Sequence, residues 1–129
     1  MFHGTLTAFS DEFIGFAERG TTRYALAYRS VDHRSIRELC DEVGKATPSG
    51  KYKPFTPAGG WSADILAFAA GLISLQEKRH RADYDPDYQP KQSDAMTAAR
   101  TARSALARLT AIAAAERKAF LALLAFRPR

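Results

Sequence analysis

The stretch SADILAFAAGLISLQEKRHRADYDP, residues 62–86, decides the fold, because it begins as an apolar helix and ends in ionisable side chains. Ser62 is of the type preferred at helix N-caps. Asp85 precedes a proline, and a residue in that position is disfavoured in helical geometry. The stretch therefore predicts a helix over residues 62–84. We call its charged end, residues 79–85, the polar segment.

One face of this predicted helix carries apolar side chains at steps of three and four residues, namely Ile65, Phe68, Leu72 and Leu75. The same steps continue to Arg79 and Asp83, whose i,i+4 spacing lets them form an ion pair. A neighbouring stripe continues to His80 and Tyr84. Because an uncompensated buried charge is strongly destabilising, we expect Arg79 and Asp83 to be mostly buried and paired, with Tyr84 hydrogen-bonded nearby.

The polar segment has two interpretations. In the structural one, a buried Arg–Asp pair and a tyrosine hydroxyl fix the register of this helix against its neighbours. In the functional one, the segment lines a polar cleft at the helix end, because clustered arginine, histidine, aspartate and tyrosine are typical of functional sites. The sequence leaves both interpretations open.

Three more helical segments are predicted around this one. Helical spacing of apolar residues predicts a first helix over about residues 2–18 and a second over about 23–43. Residues 44–60 hold four glycines and three prolines, so they are predicted to form a mobile loop. A long fourth helix is predicted from about 93 to 126. Since β-branched alternation is absent, the prediction is an all-α, antiparallel four-helix bundle forming one domain over residues 1–129.

The end of the predicted fourth helix is strongly apolar, with Phe120, Leu121, Leu123, Leu124 and Phe126. The first helix is much shorter than the fourth, so this end is expected to lack a partner within the bundle. A large exposed apolar patch usually marks an interface. The sequence therefore predicts a homodimer with a two-fold axis that covers this surface.

Composition limits the classes of protein that remain. The chain has 129 residues, of which 46% are hydrophobic, and its only cysteine is Cys40, which is expected to be a small buried side chain. Three scattered histidines give no metal-ligand spacing, so no metal and no cofactor is expected. No apolar run spans about 18 residues and no signal peptide is visible, so a cytoplasmic protein without membrane contact is predicted.

The positive charge is concentrated towards the C-terminus. Residues 1–88 carry 11 basic and 12 acidic side chains, whereas residues 89–129 carry 8 basic and 2 acidic ones. Such an asymmetry suits an anionic partner such as RNA, although a solvated basic helix face has the same composition.

Several of these residues together resemble the HEPN-domain proteins. The stretch Arg79-His80-Arg81-Ala82-Asp83-Tyr84 resembles the bacterial branch whose penultimate helix ends in Arg-x-x-Ala-Asp-Tyr. The segments MFHGTLTAF (1–9) and YRSVDHRSIREL (28–39) are similar to other helices of that branch, as is the alanine-rich region ending AFLALLAFR. Family members carry further residues before the Phe-His pair, so the chain is expected to begin partway along that helix.

The resemblance implies a helical bundle, often dimeric, that acts with RNA in toxin–antitoxin or defence systems. A cognate nucleotidyltransferase-like antitoxin is a possible partner on the same grounds. Nuclease members of the family cleave RNA without metal, and use an arginine followed by a histidine after four to six intervening residues. Here those positions after Arg79 are Tyr84, Asp85 and Pro86, so the nuclease motif is absent.

Three functional hypotheses follow. The first is a HEPN-like module that acts by binding RNA or a partner protein, and is non-catalytic or weakly catalytic. The second is a metal-independent ribonuclease toxin, and the third is a structural dimerising bundle. The catalytic candidates are Arg79, His80, Asp83, Tyr84 and His3, and the candidate RNA-binding residues are Lys51, Lys53, Arg81, Arg100 and Arg103.

Overall fold

Six α-helices and two short 3₁₀ helices form the protein, and a computed structural model describes all of residues 1–129. The α-helices are α1 (Phe2–Phe13), α2 (Thr22–Arg29), α3 (His33–Val43), α4 (Ala63–Tyr84), α5 (Gln92–Ala111) and α6 (Ala114–Ala125). The 3₁₀ helices are Phe16–Glu18 and Lys53–Phe55. The chain contains no strand, so the predicted all-α fold is confirmed. The predicted number of four helices is wrong, because three of the four segments are interrupted.

The first predicted helix ends early, at Phe13. Gly15 has φ +111°, a backbone conformation that glycine adopts readily and other residues rarely do, and the 3₁₀ turn follows it. The chain then turns back, and the Arg19 guanidinium donates two hydrogen bonds to Asp11, of 3.0 and 2.6 Å. The Tyr24 hydroxyl donates to the same carboxylate at 2.8 Å, which holds α2 against α1.

The second predicted helix divides into α2 and α3 at residues 30–32. Asp32 accepts hydrogen bonds from the Ser35 backbone N–H at 2.7 Å and from the Ser35 hydroxyl at 2.6 Å, so it is the N-cap of a new helix. These hydrogen bonds hold the pKa of Asp32 below its usual value. Val31, just before this cap, is buried in the core. A side-chain cap therefore interrupts a periodic pattern that no glycine or proline interrupts.

The third predicted helix is confirmed as α4. The Ser62 side chain accepts from the Ile65 backbone N–H at 3.3 Å, and the helix ends at Tyr84, one residue before Asp85. Its apolar stripe is buried as predicted through Leu72. α5 runs antiparallel to α4: Gly71 lies so close to α5 that an added Cβ would be 3.3 Å from the Cβ of Ala105.

The long fourth helix is the largest error of the sequence prediction. The chain leaves helical geometry at Ile112 and Ala113, whose ψ angles are 158° and 136°, and α6 then folds back onto the start of α4. Glu116, in the first turn of α6, accepts a 2.8 Å hydrogen bond from the backbone N–H of Ser62. Ile112 is itself buried. Burial of this apolar side chain and docking of α6 accompany the interruption, which no residue type marks.

Because of this turn, most residues of the predicted dimer surface are buried within one chain. Phe120, Leu121, Leu123 and Leu124 are buried inside a single chain, and Phe120 packs edge-on against Trp61 and Phe68 at ring distances of 5.9 and 5.7 Å. Of the predicted patch only Phe126 is exposed. The apolar end of the chain therefore completes the core and does not form the expected interface.

The loop at residues 44–60, predicted to be mobile, is held to α3 by a buried carboxylate. Glu42 accepts hydrogen bonds from the backbone N–H and hydroxyl of Ser49 and from the Lys45 ammonium group. Burial alone would raise the pKa of Glu42, but these hydrogen bonds outweigh it and lower the pKa to about 2. Tyr52, within this loop, is buried.

The core also contains Cys40, which is fully buried as predicted, and burial raises the pKa of its thiol to about 12. Such a thiol is inert at neutral pH. None of the helices has both the length and the apolar character that crossing a membrane requires.

Ser10 is the exception among buried polar side chains, because its hydroxyl is fully buried and has no hydrogen-bond partner. We expect Ser10→Ala to raise the free energy of unfolding by about 1 kcal/mol, since it removes an unsatisfied polar group. Chemical denaturation followed by circular dichroism measures this, with Ser35→Ala as the control that loses a real hydrogen bond. A Ser10→Ala variant that is less stable than the wild type would contradict the assignment.

Candidate functional site

The end of α4 extends beyond the core, which corrects the predicted burial of its charges. The side chains of Arg79 and Asp83 are 74% and 57% exposed, and the nearest Nε–Oδ2 distance between them is 3.8 Å. Tyr84 is 74% exposed and its hydroxyl makes no hydrogen bond. The two side chains are paired as predicted, but the pair is exposed and not buried, because the last turns of α4 extend beyond the core. An exposed pair of this kind contributes little to stability.

The N-terminal half of α3 lies alongside the exposed end of α4 and forms one side of a cleft. Arg37 of α3 donates a 3.2 Å hydrogen bond to Glu77 of α4. A cavity of about 430 Å³ between them is lined by His33, Arg34, Arg37, Gln76, Arg79, His80, Asp83 and Tyr84. A second cavity of about 620 Å³ continues it with Glu77, Arg81 and Asp85. We call these two cavities together the α3–α4 cleft.

A third cavity, of about 460 Å³, opens beside the cleft and shares His33, Gln76 and Arg79 with it. Its other walls are Met1, Phe2 and His3 of the chain start, Leu72 and Leu75 of α4, and Ala102 of α5. We call it the apolar pocket. It brings the first residues of the chain to the same place as the polar segment.

All three histidines of the chain meet at these cavities. The ring of His33 stacks on that of Phe2 with centroids 3.5 Å apart. The Nδ1 atom of His3 lies 2.6 Å from the Tyr28 hydroxyl oxygen, within hydrogen-bond distance. His80 packs against Tyr84 at a ring distance of 4.7 Å. The fold therefore gathers side chains from α1, α3 and α4 that lie far apart in sequence.

The charges of the cleft are mixed. Four arginines and three carboxylates line it, namely Arg34, Arg37, Arg79 and Arg81 with Glu77, Asp83 and Asp85. Burial lowers the pKa of His33, and the positive charges of Arg79 and His3 lower it further. His33 is therefore a neutral imidazole at pH 7, able to accept a proton.

Of the sequence candidates, Arg79, His80, Asp83 and Tyr84 line the cleft, His3 lies in the adjoining apolar pocket, and Arg81 lies at the outer end of the cleft. Neighbouring residues on a helix point about 100° apart, yet Arg79 and His80 both border the groove beside α3. The guanidinium of Arg81 also lies 5.6 Å from the ring centre of Tyr88. Most of the predicted catalytic group is thus brought together.

The other predicted RNA-binding residues lie elsewhere. Lys51 and Lys53 are on the loop held by Glu42, at the opposite end of α3 from His33. Arg100 lines a shallow groove between α4 and α5, together with Arg108. Arg103 is exposed on α5. None of these four predicted residues lines the cleft or the apolar pocket.

Sequence reasoning missed the contribution of α3 to the site. His33, Arg34 and Arg37 face the polar segment only because a helix begins at His33, after the Asp32 cap. The Ser-Val-Asp run at residues 30–32 is the signal that would have predicted this start.

No group of three or more histidine, cysteine, aspartate or glutamate side chains has an arrangement that could hold a metal ion. Comparisons of the chain with protein-family models, with curated proteins and with solved structures find no match. The resemblance to the HEPN group therefore remains a prediction.

Proposed function

We propose that the protein is a HEPN-like module that binds RNA, with the sugar-phosphate backbone in the α3–α4 cleft. The observation that carries the proposal is the meeting of all three histidines and four arginines at one cleft and its adjoining pocket. Arginine is well suited to phosphate because its planar guanidinium donates two hydrogen bonds in parallel. The resemblance to HEPN proteins supports the same anion.

The availability of these cations supports the proposal further. Arg79 has only the 3.8 Å contact with Asp83, and Arg81 has no carboxylate partner within 4.0 Å. By contrast, Arg37 forms ion pairs with Asp41 and Glu77, which hold its guanidinium in place at the side of the cleft. A phosphate can therefore displace the weak contact of Arg79 without breaking a buried ion pair. We assign Arg79 as the main phosphate ligand.

In this proposal the protein is a homodimer that acts in a toxin–antitoxin or defence system. Its partner protein is a nucleotidyltransferase-like antitoxin. These parts rest on the resemblance. The competing hypothesis is that a partner protein occupies the cleft in place of RNA. It is favoured if the wild type does not bind RNA.

Arg79→Ala is expected to weaken binding of a short single-stranded RNA by about 10- to 150-fold, because a charge-assisted hydrogen bond contributes roughly 1.5–3 kcal/mol. Fluorescence anisotropy of a labelled oligonucleotide measures the affinity at fixed ionic strength. Arg23→Ala removes the same charge from an exposed side chain of α2 outside the cleft and serves as the matched control. Equal losses for the two variants, or no binding by the wild type, would refute the proposal.

A second candidate function, metal-independent RNA cleavage, is favoured by the neutral His33 beside Arg79. His33 would take the proton of a 2′-hydroxyl as the 2′-oxygen forms a bond to phosphorus. The bond from phosphorus to the 5′-oxygen then breaks, and the His80 ring would donate a proton to that oxygen. Arg79 would stabilise the charge that develops on the phosphoryl oxygens. The products are a 2′,3′-cyclic phosphate and a 5′-hydroxyl.

If this second function is present, RNA is cleaved in excess EDTA and His33→Ala slows the cleavage roughly 100-fold, the scale of general-base catalysis. Gel analysis of a labelled RNA gives the rate and identifies the cyclic phosphate end. Arg23→Ala should cleave like the wild type. Cleavage that EDTA abolishes, or that survives in His33→Ala, would assign the activity to another site or to a contaminant.

A further inference from the structure

The apolar pocket has the size and lining of a ligand subsite. Its volume of about 460 Å³ lies within the range of small-molecule sites, roughly 300–1,000 Å³. Five of its nine lining residues are apolar: Met1, Phe2, Leu72, Leu75 and Ala102. Three of its four polar lining residues, His33, Gln76 and Arg79, also line the α3–α4 cleft. An apolar cavity beside a cationic cleft can hold one apolar part of a ligand whose charged part lies in the cleft.

Gln76 stands at the junction of the apolar pocket and the cleft. It lines all three cavities, and its side-chain amide makes no hydrogen bond within the protein. A glutamine amide presents a donor and an acceptor side by side. The hydrogen-bonding edge of a nucleobase also carries donors and acceptors side by side, so the two are complementary.

Two aromatic rings that line the pocket, those of Phe2 and His33, stack on each other. The rings of Phe2 and His33 are nearly parallel, with an angle of 15° and a centroid distance of 3.5 Å. Aromatic side chains are the surfaces on which unpaired bases stack in proteins that bind single strands. Arg79 borders both this pocket and the cleft, so it stands where a phosphate attached to the inserted nucleoside would lie.

We propose that the apolar pocket is a nucleobase subsite that takes one unpaired base of a bound RNA strand. The inference rests on the proposed function, because it uses the RNA backbone seated in the cleft. It narrows the substrate class to single-stranded RNA, since a paired base cannot leave its helix without losing its partner. An apolar side chain from a second copy would fill the pocket but would leave the Gln76 amide without a partner.

The test compares two RNA strands of equal length, one intact and one in which every base is replaced by an abasic ribose, by fluorescence anisotropy. The wild type is expected to bind the intact strand about tenfold more tightly, the scale of one stacked base. Ala102→Leu narrows the pocket from the α5 side and is expected to lower the affinity for the intact strand towards that for the abasic one. Ala107→Leu adds the same group to an exposed position of α5 and is the matched control. Gln76→Ala removes the side-chain amide without adding atoms to the pocket. It is also expected to lower the affinity for the intact strand towards that for the abasic one.

The outcomes separate this inference from the proposed function. Binding of both strands with equal affinity would refute the base subsite and leave backbone binding in place. Equal losses of intact and abasic strands in Ala102→Leu and Gln76→Ala would also refute the subsite, because the changes would then act on the backbone site. No binding of either strand by the wild type would refute the proposed function and the subsite with it. The subsite is supported if the wild type and Ala107→Leu bind the intact strand more tightly than the abasic one, and if Ala102→Leu and Gln76→Ala lose this difference.

Discussion

Replacing Phe120 with alanine is expected to lower the free energy of unfolding by about 3–5 kcal/mol, the range for removing a buried aromatic side chain. Phe120 is 1% exposed and packs edge-on against Trp61 and Phe68, so it joins α6 to the start of α4. Edge-to-face ring pairs add to the loss from burial alone. Urea denaturation followed by circular dichroism gives the free energy and its denaturant dependence.

The matched control is Phe126→Ala, because Phe126 is 73% exposed and lies just after the same helix. This variant is expected to change the stability by less than about 0.5 kcal/mol. The comparison tests the turn at residues 112–113. In a chain with one continuous final helix both phenylalanines would lie outside the core of a single chain, and the two variants would then have similar effects.

Replacing Glu42 with alanine is expected to destabilise the fold by about 3 kcal/mol at pH 7. The carboxylate pKa of about 2 lies below the ordinary value of 4.5, and each unit corresponds to roughly 1.4 kcal/mol. The carboxylate is buried and holds Ser49 and Lys45, so its loss releases the loop at residues 44–60. Denaturant titration at pH 7 measures the change. The control is Glu38→Ala, because Glu38 lies on the same helix and forms an exposed pair with Arg34. This variant should lower the free energy of unfolding by no more than about 1 kcal/mol.

The same carboxylate gives a dependence of stability on pH. A pKa that is lower in the folded state means that the contribution of Glu42 is fully present above pH 4.5 and is lost as the pH falls towards 2. The difference in stability between the wild type and Glu42→Ala should therefore shrink over this interval. A difference that stays constant from pH 6 to pH 3 would show that Glu42 acts only through packing.

The sequence predicted α4 well because local chemistry marks both of its ends. Ser62 caps its start, and the proline after Asp85 prevents its continuation. The turn at Ile112 has no such mark, since alanine, isoleucine and threonine all continue a helix pattern. It depends on burial of Ile112 and on the distant contact of Glu116 with Ser62. Tertiary contacts of this kind are not visible in the periodicity of a single segment.

The candidate site was predictable in part for the same reason. Arg79, His80, Asp83 and Tyr84 are close in sequence, and a helix necessarily keeps them together. Their burial was predicted wrongly because it depends on whether another helix covers the end of α4. The contribution of His33 depends on how α3 packs against α4, which a pattern within one helix cannot give.

The measurement that tests the central claim most directly is a titration of the ¹⁵N-labelled protein with a short single-stranded RNA, followed by NMR chemical shifts. The claim is that RNA lies in the α3–α4 cleft, with Arg79 on its backbone. It predicts that the largest shift changes fall on the backbone amides of residues 33–37 and 76–84, and that Arg79→Ala reduces them. Changes confined to the loop at residues 44–60, or no changes at saturating RNA, would contradict it.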